Sequence, residues 1–195
     1  MSETERVATA AAPLSKILRA ITPEHLTAPT PCAEFDVRAL LNHLLFWGPS
    51  LTGAARKQAV APPAATETDV DLTAGDWSGT LDTHLADLAA AWRDPAAWQG
   101  VTHMGGPTEL PAALVGGMVV GELIVHGWDL ARAVDATVAW DEDLLRYAYA
   151  ETAASADQGR AMGIYGPEVP VDPGAPLLDR LLGLTGRDPA WASAG

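Results

Sequence analysis

The chain has 195 residues, 48% hydrophobic and 19% charged, with a formal net charge of −13 and a single cysteine. That length suits one substantial core, and the apolar fraction excludes a disordered chain. The negative charge repels phosphate backbones and anionic membrane surfaces, so neither nucleic acid nor membrane is an expected partner, and Cys32, alone, excludes an internal disulfide and a cysteine-based zinc site.

The N-terminal stretch MSETERVATAAAPL has no basic segment leading into an apolar run, and Gly, Glu or His interrupts every long apolar stretch, so the expected compartment is the cytoplasm. Val7, Leu14, Ile17, Leu18 and Ile21 predict a first helix over 6–21, interrupted at Pro13 and finished before Pro23. Cys32 is read as inert in the turn that follows. Asp36 then supplies an N-cap, with Phe35 and Leu40 at the positions of a hydrophobic staple. The second helix carries Val37, Leu40, Leu41, Leu44, Trp47 and Leu51 on one stripe and His43 on its border, and Pro49 should bend it or end its first stretch. Ala, Pro, Thr and Asp between Val60 and Gly75 indicate an exposed connection that tolerates change.

A third helix is predicted over about Ser78 to Arg93, with Leu81, Leu85, Leu88 and Trp92 in register and Asp94-Pro95 as its stop. Trp98 to Pro107 fits either a loop or a short hairpin. The fourth helix, about Leu110 to Val134, is apolar over most of its circumference, as the most buried member of a bundle would be. Gly116, Gly117, Gly121 and Gly127 each cost up to about 1 kcal/mol there relative to Ala, which close packing or approach to a ligand would offset. Asp141 caps a fifth helix running to about Ala154, and Pro176 to Leu184 forms a short sixth before the GRDP tail. The fold class is therefore all-α: a four-helix bundle with one or two extra C-terminal helices, read as a single domain over 1–195 with a core of about 6–158 and an extension over 159–195.

Chemistry concentrates on three residues. Glu122 and His126 are spaced i, i+4 and so project side by side from a stripe that should be buried, and His43 lies in a second apolar helix. Unpaired polar groups there cost roughly 1–3 kcal/mol each, so the fold must provide a partner. A His-Glu-His set suits a divalent metal, zinc first, with Ni, Fe or Co as alternatives, and three protein ligands leave coordination positions open for water or a thiolate. Asp129, three residues after His126, is placed to orient a ligating histidine; the alternative is a surface pair with Arg132. Trp47 and Trp128 flank the proposed ligands and His103 precedes the fourth helix, so these three are the candidate pocket residues, although core packing also explains the tryptophans. His25 and His84 have polar neighbours and read as solvent-facing. No Gly-x-Ser-x-Gly element is present.

The segments TPCAEFDVRALLNHLLFW and GELIVHGWDLARA, with the tail YGPEVPVDPGAPLLDRLLGLTGRDP, resemble the DinB-like superfamily, in particular the actinobacterial branch related to the N-terminal domain of mycothiol-dependent maleylpyruvate isomerase. The resemblance implies a DinB-type four-helix bundle whose metal is held by a histidine of the second helix and two residues of the fourth, which fall on His43, Glu122 and His126. Many DinB-like proteins present three histidines; Glu122 departs from that pattern and resembles the isomerase branch. Characterised relatives activate a low-molecular-weight thiol such as mycothiol or bacillithiol on the metal. The implied function is a divalent-metal-dependent thiol S-transferase or isomerase, with mycothiol as cosubstrate and a small electrophile as partner. The isomerase carries a further C-terminal domain where this chain has a short tail, so its substrate does not carry over. Two other readings stand beside this one: a non-catalytic metal- or ligand-binding bundle, as a stress-related homodimer, and a buried hydrogen-bond cluster without metal.

Overall fold

The computed structural model describes residues 1–193 and is all-α apart from one small hairpin. The first predicted helix is two: α1 (Arg6–Ala11) and α2 (Leu14–Ala20) meet at Pro13, whose missing N–H cannot continue the ladder. Helix α3 (Val37–Ala55) starts where Asp36 accepts a hydrogen bond from the Ala39 N–H at 2.8 Å, and it runs through Pro49 without ending there. Helix α4 (Trp77–Ala91) is capped in the same way by Asp76, which accepts from the Gly79 N–H.

The open choice at 98–107 resolves as a hairpin, β1 (Val101–His103) antiparallel to β2 (Glu109–Pro111), which leads into α5 (Ala112–Ala133). Helix α6 (Glu142–Ala161), capped by Asp141, runs a full seven residues beyond its predicted end at Ala154, and α7 (Leu177–Leu184) follows an irregular segment.

The α1/α2 pair, α3, α4 and α5 form the DinB-like four-helix bundle; α6 packs on α5, and α7 on α6. Leu14, Leu18, Leu40, Leu41, Leu81 and Ile124 fill its centre, nearly or wholly inaccessible to water. Burial of each such side chain is worth about 1.5–3 kcal/mol, enough to override the glycines of α5. Gly116 shows why it is glycine: a Cβ there would lie 2.4 Å from the Trp98 ring. By length and composition alone α5 could cross a membrane, yet most of it is buried against the other helices.

Two segments do more than their composition suggests. The connection between α3 and α4 is pinned to α3, since Asn42 donates to the Glu67 carbonyl at 2.9 Å and accepts from the Leu72 N–H at 2.7 Å. The connection is largely exposed, as expected, but it is not loose: local composition cannot reveal a tether to a side chain 25 positions away. After α7, Gly186 adopts φ +83°, a region L side chains disfavour, and its Cα side passes so close to Gly166 that a Cβ would meet backbone at 2.8 Å. That turn returns the chain toward α5 and delivers Arg187 into the interior, where it is 7% exposed.

Candidate metal centre

His43 comes from the middle of α3, and Glu122 and His126 from successive turns of α5, where four residues of helix separate their directions by only about 40°. Packing of α3 on α5 brings one donor atom from each residue within 4.8 Å of the others. Glu122 Oε1 lies 2.6 Å from His43 Nε2 and 3.5 Å from His126 Nε2. Phe35 covers both imidazoles, with ring centroids 5.2 Å from His43 and 6.3 Å from His126.

Each histidine is held from behind by a carboxylate. His126 Nδ1–H donates to Asp129 Oδ2 at 2.9 Å, and His43 Nδ1–H to both oxygens of Glu67 at 3.0 Å. This leaves Nε2 of both rings directed at Glu122, the arrangement that metal-ligating histidines adopt. The donor set suits a divalent cation: the edges of a tetrahedral shell with bonds of about 2.0–2.1 Å are about 3.3 Å, near the 3.5 Å between Glu122 and His126, whereas the 2.6 Å between Glu122 and His43 is a hydrogen-bond distance that a bound cation would open. Without a cation, charge is balanced by a proton. Burial alone would lower the His43 pKa, but hydrogen bonds and charge from Glu122 and Glu67 outweigh it and raise it from 6.5 to about 10. Burial would likewise raise Glu122, but His126 and the hydrogen bond from His43 bring it from 4.5 down to about 2. The metal-free centre is thus a carboxylate–imidazolium–carboxylate chain.

Asp129 is fully buried behind His126; it does not pair with Arg132, which donates instead to the Trp191 carbonyl. Its second partner is Arg187 Nη2, at 3.2 Å. Trp47 lines a cleft of about 190 Å³ with His43, Leu51, Met104, Met118, Glu122 and Ile164, and its Nε1–H donates to Glu67 Oε1 at 2.7 Å.

The two other candidate pocket residues lie elsewhere. Trp128 is buried in the core, because two residues of helix turn it about 200° away from His126. His103 sits in β1 opposite Glu109; alternation along the strand sends Thr102 inward, to donate to the Ala54 carbonyl, and turns His103 the other way, and Met104 reaches the cleft instead. His84 is half-buried against Gly48 rather than solvent-facing, and burial lowers its pKa. Sequence reasoning missed Glu67 and Arg187. Neither has a local signal: Glu67 lies in a one-turn segment of a Pro/Thr-rich stretch and Arg187 in a Gly-Arg-Asp-Pro turn.

Comparison with known proteins gives the same frame. An uncharacterized protein of Mycobacterium tuberculosis, present in two strains, is 27% identical over 175 residues, spanning 88% of this chain and 90% of the relative. The crystal structure of the mycothiol-dependent maleylpyruvate isomerase superposes with a TM-score of 0.65 at 16% identity, covering 96% of this chain and 90% of that one, and a histidine-to-alanine mutant of it gives 0.66. At that identity the likeness speaks to the fold. The model of the mycothiol maleylpyruvate isomerase N-terminal domain family matches residues 7–131, well over half of the sequence, and this chain belongs to that family.

Proposed function

We propose that this protein is a divalent-metal-dependent thiol S-transferase or isomerase that brings a low-molecular-weight thiol, mycothiol by family, to a small electrophile. The observation that carries this reading is the convergence of His43 Nε2, Glu122 Oε1 and His126 Nε2 from two helices, with the far nitrogen of each imidazole held by a carboxylate. The family and the name of its solved member, a mycothiol-dependent isomerase, support the thiol and the reaction class.

His43, Glu122 and His126 would hold the cation, with zinc the best match to two imidazoles and one carboxylate. A cation bound there supplies Lewis-acid stabilisation of a thiol's anionic form near neutral pH. The remaining work belongs to the chain. Glu67 and Asp129 hold both rings in the tautomer that frees Nε2, and Phe35 screens them from water. Leu51, Met104, Met118 and Ile164 give the cleft an apolar wall that can seat an electrophile beside the centre and keep water out of the reaction.

We read the extension over 159–195 as part of the same domain, since Arg187 bonds to Asp129. A reduced thiol cosubstrate and a free Cys32 suit the cytoplasm. The test is metal analysis of purified protein with thiol conjugation to a chromogenic electrophile: one zinc per chain and steady turnover are expected, both lost in His126→Ala. Equal metal content in the two proteins refutes the centre; bound metal without turnover favours a non-catalytic bundle.

A further inference from the structure

A larger cavity lies outside the metal centre: a groove of about 740 Å³ between the first turns of α3 and the segment 65–71 of the connection to α4. Trp47 lines both this groove and the cleft, whereas His43 and Glu122 line only the cleft. The volume is that of a small-molecule site, for which roughly 300–1,000 Å³ is usual. The groove is also preformed. Asn42 fastens the connection to α3 at the Glu67 carbonyl and again at the Leu72 N–H, so the segment is pinned beside the helix and the space between them persists.

Its floor and its rim differ in chemistry. Phe35, Ala39, Phe46, Trp47 and Val70 give an apolar floor with three aromatic rings. The rim carries charge. Glu67 is committed to His43 and Trp47, which leaves the exposed carboxylates of Asp36 and Asp71 against the single guanidinium of Arg38, on a chain of net charge −13. Bonds from the Thr73 hydroxyl and N–H hold Asp71 below the usual carboxylate range, so it stays ionised.

An anion finds little here. The α3 N-terminus would attract one, but the Asp36 carboxylate already occupies it, accepting from the Ala39 N–H. Arg38 is drawn away to Thr73 at 3.1 Å and Asp71 at 3.7 Å. A bare metal ion gains no ligands from an aromatic floor, whereas an organic cation is attracted by ring faces and by carboxylates together. We propose that this groove is a second ligand site, and that it takes a small organic ammonium ion whose apolar body rests on Phe35, Phe46 and Trp47 and whose charge is met by Asp36 and Asp71. The assignment is independent of the metal and of the reaction proposed for the neighbouring centre.

The experiment titrates phenethylammonium, its neutral counterpart 2-phenylethanol and the anion 3-phenylpropionate into the full chain. It follows the backbone amide resonances of Ala39, Thr68 and Asp71 in the groove, and those of Met118 and Ile164 in the cleft. Phenethylammonium is expected to shift the groove signals alone, to bind about tenfold more tightly than either analogue, and to weaken as salt is added. Asp36→Asn, which keeps the helix cap, and Asp71→Asn should each weaken it about threefold, the scale of an exposed ion pair. Ala39→Phe, which fills the groove and leaves every charge in place, should abolish binding. No groove shift at the highest soluble concentration of phenethylammonium, or shifts confined to Met118 and Ile164, overturns the site. Equal binding of 2-phenylethanol, tighter binding of 3-phenylpropionate, or undiminished binding in the protein carrying both Asp→Asn changes overturns the assignment to a cation.

Discussion

Glu67 and His43 lie 24 positions apart, yet both carboxylate oxygens of Glu67 stand 3.0 Å from His43 Nδ1. The same carboxylate accepts the Trp47 indole N–H, so one side chain from a connecting segment sets both the ring orientation of a metal-ligand candidate and the wall of the adjacent cleft. Several properties of the protein depend on contacts of this kind, made by side chains outside the donor set.

Glu67→Gln should retain the fold and weaken zinc affinity by about 10–100-fold, since an amide leaves the His43 tautomer and orientation unfixed. Competition with a chromophoric chelator measures this. Unchanged affinity would mean that Glu67 only tethers the connection.

Asp129→Asn acts on two partners at once. It leaves the Arg187 guanidinium buried without its counter-charge, and breaking a buried pair costs about 3–5 kcal/mol. It also loosens the hold on His126 Nδ1. Urea melts should show the stability loss, and zinc affinity should fall with it; a melt superimposable on that of the parent protein contradicts the pairing.

Removing the metal should lower thermal stability. A ligand at about a hundredfold its dissociation constant adds about 2.7 kcal/mol, and each kcal/mol moves the midpoint of a chain this long by about 2–4 °C. Chelation should therefore lower Tm by about 5–10 °C in the parent protein and leave His126→Ala unaffected. No change on chelation favours a plain hydrogen-bond cluster.

The pH dependence of the metal-free protein follows from the two displaced groups. His43 titrates higher in the folded state than its ordinary 6.5, so its contribution is complete below about 6.5 and is lost as pH climbs to about 10. Glu122 titrates lower than 4.5, so its contribution is complete above about 4.5 and is lost as pH falls toward 2. Metal-free stability should peak between those limits, and His43→Asn should flatten the alkaline limb. Zinc affinity should run the other way on that limb, rising with pH because the cation must displace the His43 proton. Denaturant midpoints at pH 5.5 and 9.5 separate these expectations; equal midpoints would place no proton on His43.

Local signals were enough for much of the architecture. Asp36 and Asp141 mark helix starts because a cap is a contact within four residues, and the apolar periodicity of α3, α4 and α5 declares which faces are buried. The pairing of Glu122 with His126 is legible for the same reason, being one turn of one helix. What lay beyond reach was set by contacts between distant segments. The exclusion of Trp128 and His103 from the cleft, the length of α6, the tie of Glu67 to His43 and the entry of Arg187 beneath α5 all depend on where separate elements pack.

From its order of residues alone, this chain determined an all-α bundle and the turn of helix that holds Glu122 and His126, since helical periodicity and capping act over only a few residues. Tertiary structure decided that His43 meets them, that carboxylates stand behind both imidazoles, and that a guanidinium from the tail shares Asp129. Such contacts are selected by burial and by the need to satisfy charged groups removed from water, and those forces act between parts of the chain that carry no local record of each other.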